Sequence, residues 1–473
     1  MIVVSMRRAA FAVMASLFSG AALDAQRPAA ISSSVIRPVR EIDTVSAPAG
    51  DGTTAIVGAM VIDGRGGPAL HNGVVLVRGN RIVAVGSRAT TPVPADAAII
   101  DGGGRTVLPG LIDAHFHLDG DDSLPALFLS HGVTSVRDPG AWIEAYATVR
   151  RSTSDVPRLF LAGPHLDGSS PAYPNDALVV RDADETRSAV ESLVEQGASV
   201  IKAYFRLPPS LLRVAVLAAH ARGVPVTTHL ELVDATTAIR SGVDGVEHIT
   251  SFGTALLPPR DAERYRQSVM ADNNARRDGR YAVWNAIDLA SPRVAPLLQL
   301  IVRHRTFVSP TLAVFEKQLG DSGATPAQLH AFAQMLAFTS MVRRAGGRVV
   351  VGSHSDVPHA ARGWAFQREM ELLVAAGLTP MQAIVGATSE NAAFFRVSDR
   401  LGTIAVGKIA DLVLVRGDPL ADITRMRQVD RVMLNGRWIA ARNATSPPPD
   451  PSFPRESSND TRNSLPYRMS ASH

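Results

Sequence analysis

Leu111-Ile112-Asp113-Ala114-His115-Phe116-His117 is the stretch on which the fold turns. It reads as a short β-strand, in which successive side chains alternate faces. His115 and His117 then point the same way and Phe116 the other, so two imidazoles at one strand end can reach a single ion.

Seven more apolar runs of strand length follow, at 133–138, 159–165, 200–205, 225–230, 245–249, 307–312 and 349–354. Between them lie stretches with apolar residues at helical spacing, such as 210–221 and 370–376. Eight strands alternating with helices predict an α/β chain folded as a (β/α)8 TIM barrel, with a doubly wound open sheet as the rival. The polar residues decide between them. Six strand ends carry an ionisable or metal-binding group: His115 and His117, Asp138, Lys202, His229, Glu247-His248, and the run Gly352-Ser353-His354-Ser355-Asp356. In a barrel these ends converge on one mouth, where the chemistry of that fold sits, whereas an open sheet would spread them along an edge. Any one of these histidines alone reads as a hydrogen-bonded core residue. Four of them at three strand ends, in order, point to metal binding. His71, His131, His220, His304, His330 and His473 fall elsewhere and read as surface or helix positions.

Outward from the barrel the texture changes. From 52 to 108 come short β-rich runs at 55–62, 73–77, 81–85 and 97–100, parted by turn pairs such as Asp63-Gly64 and Gly79-Asn80, which predict a small antiparallel unit. Similar runs return at 410–415, 429–434 and 437–440. One small composite β-sandwich domain built from both chain ends is expected, from 52–108 and 400–443, around a barrel over 109–399. Residues 26–51 read as a linker and the Pro/Ser/Asn-rich 444–473 as a disordered tail. Arg7 and Arg8 precede an apolar run over 9–18 and then small residues through Ala25, the pattern of a signal peptide over 1–25, too short for a membrane span. The mature protein is therefore expected to be periplasmic or secreted, with no membrane association after cleavage.

Composition narrows the chemistry. Cysteine is absent, which excludes disulfides, cysteine nucleophiles and thiolate metal sites. The formal charge is +4 with no Lys/Arg block, so nucleic acid is not an expected partner; a small molecule is, and the chain could form a homo-oligomer. Only Lys202, Lys317 and Lys408 are lysines among 48 basic residues, and Lys202 sits inside an apolar run. Such a lysine either snorkels its head to solvent or has a depressed pKa and a reactive neutral amine.

These stretches resemble the amidohydrolase superfamily, in its imidazolonepropionase-like and dipeptidase-like branch. The resemblance runs from about residue 52 to 442 and rests on 107–118 around the paired histidines, 132–138, Val200-Ile201-Lys202-Ala203-Tyr204, Thr228-His229-Leu230, Gly245-Val246-Glu247-His248, and 401–414. It implies two divalent cations, zinc in the first instance, with manganese, iron or cobalt as alternatives. By that resemblance His115 and His117 bind the more buried ion, His229 and His248 the other, and Lys202, carrying CO2 as a carbamate, bridges both. Only an ε-amine can add CO2 to become an anionic two-oxygen ligand. Two adjacent ions can share a water and bring its pKa from ~15.7 toward ~7, so a bridging hydroxide is the expected nucleophile.

Tyr204, two residues beyond Lys202 on the same face, could donate to the developing oxyanion. Arg206, His165 and His359 are loop candidates for a substrate carboxylate, and Asp138 for bracing a ligand. The sequence departs from the family at strand eight. Where the family usually shows Gly-Thr-Asp, this chain has Gly352-Ser353-His354, with a carboxylate only at Asp356. Period two leaves both on one face, so the ligand is His354 or Asp356; the reading adopted puts His354 on the metal and Asp356 in proton transfer. The expected activity is cleavage of a C–N amide bond in a dipeptide or N-acyl amino acid. An esterase, lactonase or phosphotriesterase on the same two-metal site and a non-catalytic metal-binding protein are the alternatives.

Overall fold

The computed structural model describes residues 52–152 and 154–439. The segments read as a signal peptide (1–25), a linker (26–51) and a tail (444–473) lie outside the described residues. Among the described residues no helix is long and apolar enough to cross a membrane.

The β-sandwich domain is built on an eight-stranded sheet drawn from both ends of the described chain. Its path runs Arg437–Trp438, Val429–Leu434, Leu412–Arg416, Arg105–Pro109, Thr53–Val61, Leu70–Arg78 and Arg81–Ser87, with Ala98–Asp101 also paired to Thr53–Val61. The join between the two parts is antiparallel, from Leu412 opposite Pro109 to Arg416 opposite Arg105. Ile56, Val75, Val77, Val107, Leu412, Leu414 and Met433 close one apolar core. The sheet is not purely antiparallel as its turn pairs predict. Ala98–Asp101 and Arg105–Pro109 run parallel to Thr53–Val61, because residues 88–97 carry the chain back to the end where that strand starts.

The middle of the chain is the TIM barrel. Its strands are Leu111–Asp113, Val133–Asp138, Arg158–Leu161, Ile201–Ala203, Val226–Thr228, Gly245–Glu247, Phe307–Ser309 and Arg348–Val349. Backbone bonds link the two parallel sheets into a ring: Ser199 N–H donates to Leu161 O (2.9 Å) and Ala114 N–H to Val351 O (2.9 Å). Asn391 fastens the second seam, its amide donating to the carbonyls of Ile112 (2.5 Å) and Val351 (2.9 Å). The strands are shorter than the apolar runs suggest, because a residue can continue an apolar run without continuing the ladder. The run 159–165 splits, and His165 opens a separate strand, His165–Asp167, paired with Ala177–Val179. The run 349–354 leaves the ladder after Val349, so His354 lies beyond the strand. Outer helices bury one stripe: Pro209–Ala221 turns Leu211, Leu212, Ala215, Val216 and Ala219 inward, and Pro326–Arg344 begins in a Thr325/Gln328 capping box.

Arg158 and Asp411 fasten barrel to sandwich. Both are 5% exposed; Arg158 Nε donates to Asp411 Oδ2 (2.8 Å), while Asp411 Oδ1 accepts the Asn435 N–H (2.7 Å). Removing one partner of a buried pair strands the other's charge. Asp411→Ala is therefore expected to lower unfolding stability by roughly 3 kcal/mol, and Asp411→Asn by less, in urea titrations; an unchanged midpoint in the alanine variant would show that the pair is not needed to hold the two parts together.

Candidate metal centre and active site

The site starts where strand one ends. Asp113 Oδ1 accepts the N–H groups of His115 (3.0 Å) and Ser353 (2.9 Å), tying the loop after strand one to the loop after strand eight. Burial pushes Asp113 up to about 6, against the pull of those hydrogen bonds. Gly352 lets the loops close: a Cβ there would lie 2.6 Å from Ser309 Oγ and 2.7 Å from His115 Cβ. His354 and Ser355 then take consecutive left-handed conformations (φ 60° and 59°), a cost of order 1–3 kcal/mol each. The turn lets the His354 N–H donate to the His115 carbonyl (2.6 Å), and Ser355 Oγ accepts the His117 N–H (2.7 Å). As a result His354 joins His115 and His117, their candidate ligand atoms all within 4.8 Å, while Asp356 is exposed.

Each strand-one imidazole is held from behind. His115 Nδ1 donates to Glu247 Oε2 (2.8 Å), and His117 Nδ1 lies 3.4 Å from Asp138 Oδ1. Asp138 also accepts from Tyr146 O–H (2.7 Å) and the N–H groups of Leu118, Gly140 and Ala141. With their Nδ1 protons so committed, the two rings present bare Nε2 lone pairs 3.1 Å apart. Two such acceptors repel unless a positive charge lies between them, either a proton or a metal ion. The donor set fits a metal.

His248 follows strand six at φ 62°, and its Nδ1 meets Thr311 Oγ1 at 2.7 Å. Its ring lies 4.6 Å from those of both His115 and His229, so the imidazoles form one continuous cluster. His229 Nε2 is 3.2 Å from Glu231 Oε1, a carboxylate that also accepts from Tyr265 O–H (2.5 Å) and Arg280 Nε (3.1 Å). Burial brings His229 and His354 down to about 3 and His115 well below its ordinary value, which leaves neutral imidazoles with a lone pair free to donate. His117 differs: burial works most strongly against its charge, but the hydrogen bond and charge of Asp138 together with the charge of Asp119 outweigh it and raise its pKa. Lys202 is buried, with 3% exposed, and desolvation, partly offset by the charge of Glu247, brings its amine down to about 8. The snorkelling alternative does not describe this side chain.

The wall beyond His229 is aromatic. Tyr204 lies 4.8 Å from His229 and 4.2 Å from His165, ring to ring, and burial raises its phenol pKa. Tyr173 is 6.1 Å from Tyr204, and its hydroxyl bonds the guanidinium of Arg276. Two loop candidates point elsewhere. Arg206 donates to the carbonyls of Val269 (2.9 Å) and Met270 (3.1 Å) and to Asn273 Oδ1 (2.7 Å), so its guanidinium closes the end of the helix Pro259–Ala271 rather than facing the cluster. His359 pairs with Asp321 (3.1 Å) between two loops. Glu231, Arg276 and Arg280 were not anticipated. The two arginines lie on the helix Ala275–Ala286, which follows strand six after three helical segments, where no strand-end signal marks them.

Residues 106–439 match the amidohydrolase family, and the chain belongs to it. It is similar to an N-acyl-D-aspartate deacylase of Alcaligenes xylosoxydans xylosoxydans, 46% identical over 87 residues, 17% of this chain and 16% of that protein. An uncharacterized protein of Mycobacterium tuberculosis (strain ATCC 25618 / H37Rv) is 29% identical over 206 residues, 37% of this chain and 55% of its own length. The chain thus spans less than two thirds of either relative. Among solved structures, a Xaa-Pro dipeptidase with bound methionine in the active site aligns at a TM-score of 0.63 and 22% identity, covering 82% of this chain and 99% of that one, which shows a common fold.

Behind Thr311 stands a carboxylate with no route to solvent. Glu369 is fully buried, and its two oxygens accept the N–H groups of Leu312 (2.9 Å) and Ala313 (2.8 Å), capping the turn that carries Thr311. Burial outweighs those bonds and pushes Glu369 from 4.5 up to about 8. The folded state therefore holds the proton more tightly than the unfolded chain, and that stabilisation is full below pH 4.5 and lost as pH rises through 8. The stability difference between wild type and Glu369→Gln should accordingly shrink with rising pH across this window in denaturant titrations; a difference that grows with pH would mean the carboxylate is ionised in the fold.

Proposed function

We propose that this chain is a metal-dependent hydrolase that cleaves the C–N amide bond of a small substrate of the N-acyl amino acid or dipeptide kind. The observation that carries the reading is the facing pair of nitrogens, His115 Nε2 and His117 Nε2, 3.1 Å apart, with a carboxylate behind each ring. Membership of the amidohydrolase family supports it, as does the local likeness to a deacylase.

In this reading His115, His117 and His354 would hold one divalent cation, zinc or a similar ion, and His229 and His248 would hold a second. Lys202 would supply an anionic ligand to them once its neutral amine adds CO2 and releases a proton; burial, by lowering the amine to about 8, keeps more of it in the neutral form that reacts. When bound, the cations supply Lewis-acid polarisation of the carbonyl and a more acidic water. The chain's own residues do the rest. Tyr204, whose phenol burial keeps protonated, donates to the oxyanion that forms as water adds to the carbonyl carbon. Asp356, exposed two residues beyond His354, would take a proton from that water and pass it to the nitrogen, so that the C–N bond breaks to a carboxylic acid and a free amine. Export, motivated by residues 1–25, belongs to the same reading and is checked by N-terminal sequencing: a start near Gln26 supports it, and intact Met1 on cytoplasmic protein removes it.

The test pairs metal analysis with turnover of N-acyl amino acids, dipeptides and esters. His354→Ala should lower metal content, whereas Asp356→Asn should keep metal and slow amide hydrolysis by roughly 10²–10⁴-fold. Lys202→Ala and Lys202→Arg should be equally damaging, since a guanidinium cannot carry CO2. Metal lost in Asp356→Asn and kept in His354→Ala would reverse the two roles. Ester cleavage without amide cleavage would move the activity to a different class.

A further inference from the structure

Arg276 and its neighbour Arg280 are treated differently by the fold. Arg280 is matched by the Glu231 carboxylate at 3.1 Å. Arg276 is more deeply buried, with 4% exposed, yet among the described residues no carboxylate lies within 4 Å of its guanidinium. Among the described residues its guanidinium gives one hydrogen bond, to the Tyr173 hydroxyl, and its Nε meets no partner; its charge lies 5.1 Å from the Tyr173 ring centre and 5.5 Å from that of Phe205. The Glu231 charge acts on Arg276 without pairing with it, and a buried cation that lacks a paired anion is costly.

His165, on the same wall, is also 4% exposed, and its Nε2 has no partner. Its ring lies 6.5 Å from Tyr173 and 4.2 Å from Tyr204, and Tyr204 in turn lies 4.8 Å from His229. A path of four aromatic rings therefore runs from the histidine cluster to Arg276. The fixed fork of a guanidinium suits a planar carboxylate, with imidazole and phenol as further donors. Nearby carboxylates are turned to other partners: Asp167 Oδ1 accepts the N–H groups of Gly168 (3.0 Å) and Arg206 (2.8 Å), and Glu231 pairs with Arg280 (3.1 Å).

We infer that Arg276, with Tyr173 and His165, forms a carboxylate subsite that selects substrates carrying a free carboxylate beside the scissile amide, as N-acyl α-amino acids and dipeptides do. In these the carboxylate carbon lies three bonds from the scissile carbonyl carbon, so the negative charge sits at a fixed offset from the reacting group. The inference rests on the amide-hydrolase reading for its substrate, but its test does not.

The probes are N-methanesulfonyl-leucine, a sulfonamide that resists hydrolysis, and N-methanesulfonyl-leucinamide, the same molecule without the charge. Calorimetric titration of the zinc-loaded wild-type protein should give at least about tenfold tighter binding of the acid than of the amide, the scale of one charge-assisted bond. Arg276→Met should bring the two within about twofold of each other while leaving amide binding unchanged. Arg276→Lys, which keeps charge and stem, should retain part of the preference and stands in if the methionine variant does not fold. Equal binding of the two probes by wild type, no binding of the acid, or a full preference surviving in Arg276→Met or Arg276→Lys would each overturn the subsite. A selective subsite in a protein that cleaves no amide would instead sink the hydrolase reading alone.

Discussion

The carboxylate of Glu247, on strand six, is shared by residues from three other strands of the barrel. It accepts from His115 Nδ1 (2.8 Å) just beyond strand one, from the Arg137 guanidinium on strand two, and from Thr227 Oγ1 (2.6 Å) on strand five. All of this is buried, and Arg137 stacks over the Phe394 ring at 4.0 Å. A charge so placed is tolerable only when its partners are complete, so each partner depends on the others. The geometry of the strand-one imidazole is thus fixed by residues far away in sequence. The same carboxylate that stabilises a polar barrel interior also sets which nitrogen of His115 faces the mouth.

Much of this was legible in sequence, for a definite reason. Period two makes the faces of His115 and His117 predictable, and chain order then aligns Lys202, His229 and His248 at successive strand ends. What sequence does not encode openly is backbone direction after a strand stops. His354 and Asp356 share a face in an ideal strand, but strand eight ends at Val349 and two left-handed residues turn the chain, so the histidine enters the cluster and the aspartate is left exposed beyond it. Loop position misleads in the same way at Arg206, whose guanidinium caps a helix. Arg276 escaped because it lies on a helix in a long connection between strands six and seven, where nothing in the apolar pattern marks the wall it reaches.

The charge balance of the site has a consequence for its chemistry. The imidazoles that burial keeps neutral contribute lone pairs but no negative charge, and Glu247 is engaged by Arg137. Where the family places an aspartate at strand eight, this chain has a histidine, which removes one more anion. A carbamate on Lys202 would then be the principal negative ligand of the proposed pair of cations. With so little anionic compensation, the cations would act as strong Lewis acids.

The central claim is that the lone pairs of His115 and His117 converge on a metal ion, with a second ion beside His229 and His248. The most direct measurement is a crystal structure of the zinc-supplemented protein with anomalous data collected on both sides of the zinc edge. The account predicts two anomalous peaks, one against His115 Nε2 and His117 Nε2 and one at His229 and His248, with extra density beyond the Lys202 amine. An empty cluster under those conditions, with a proton shared between the two Nε2 atoms and a bare Lys202, would contradict it.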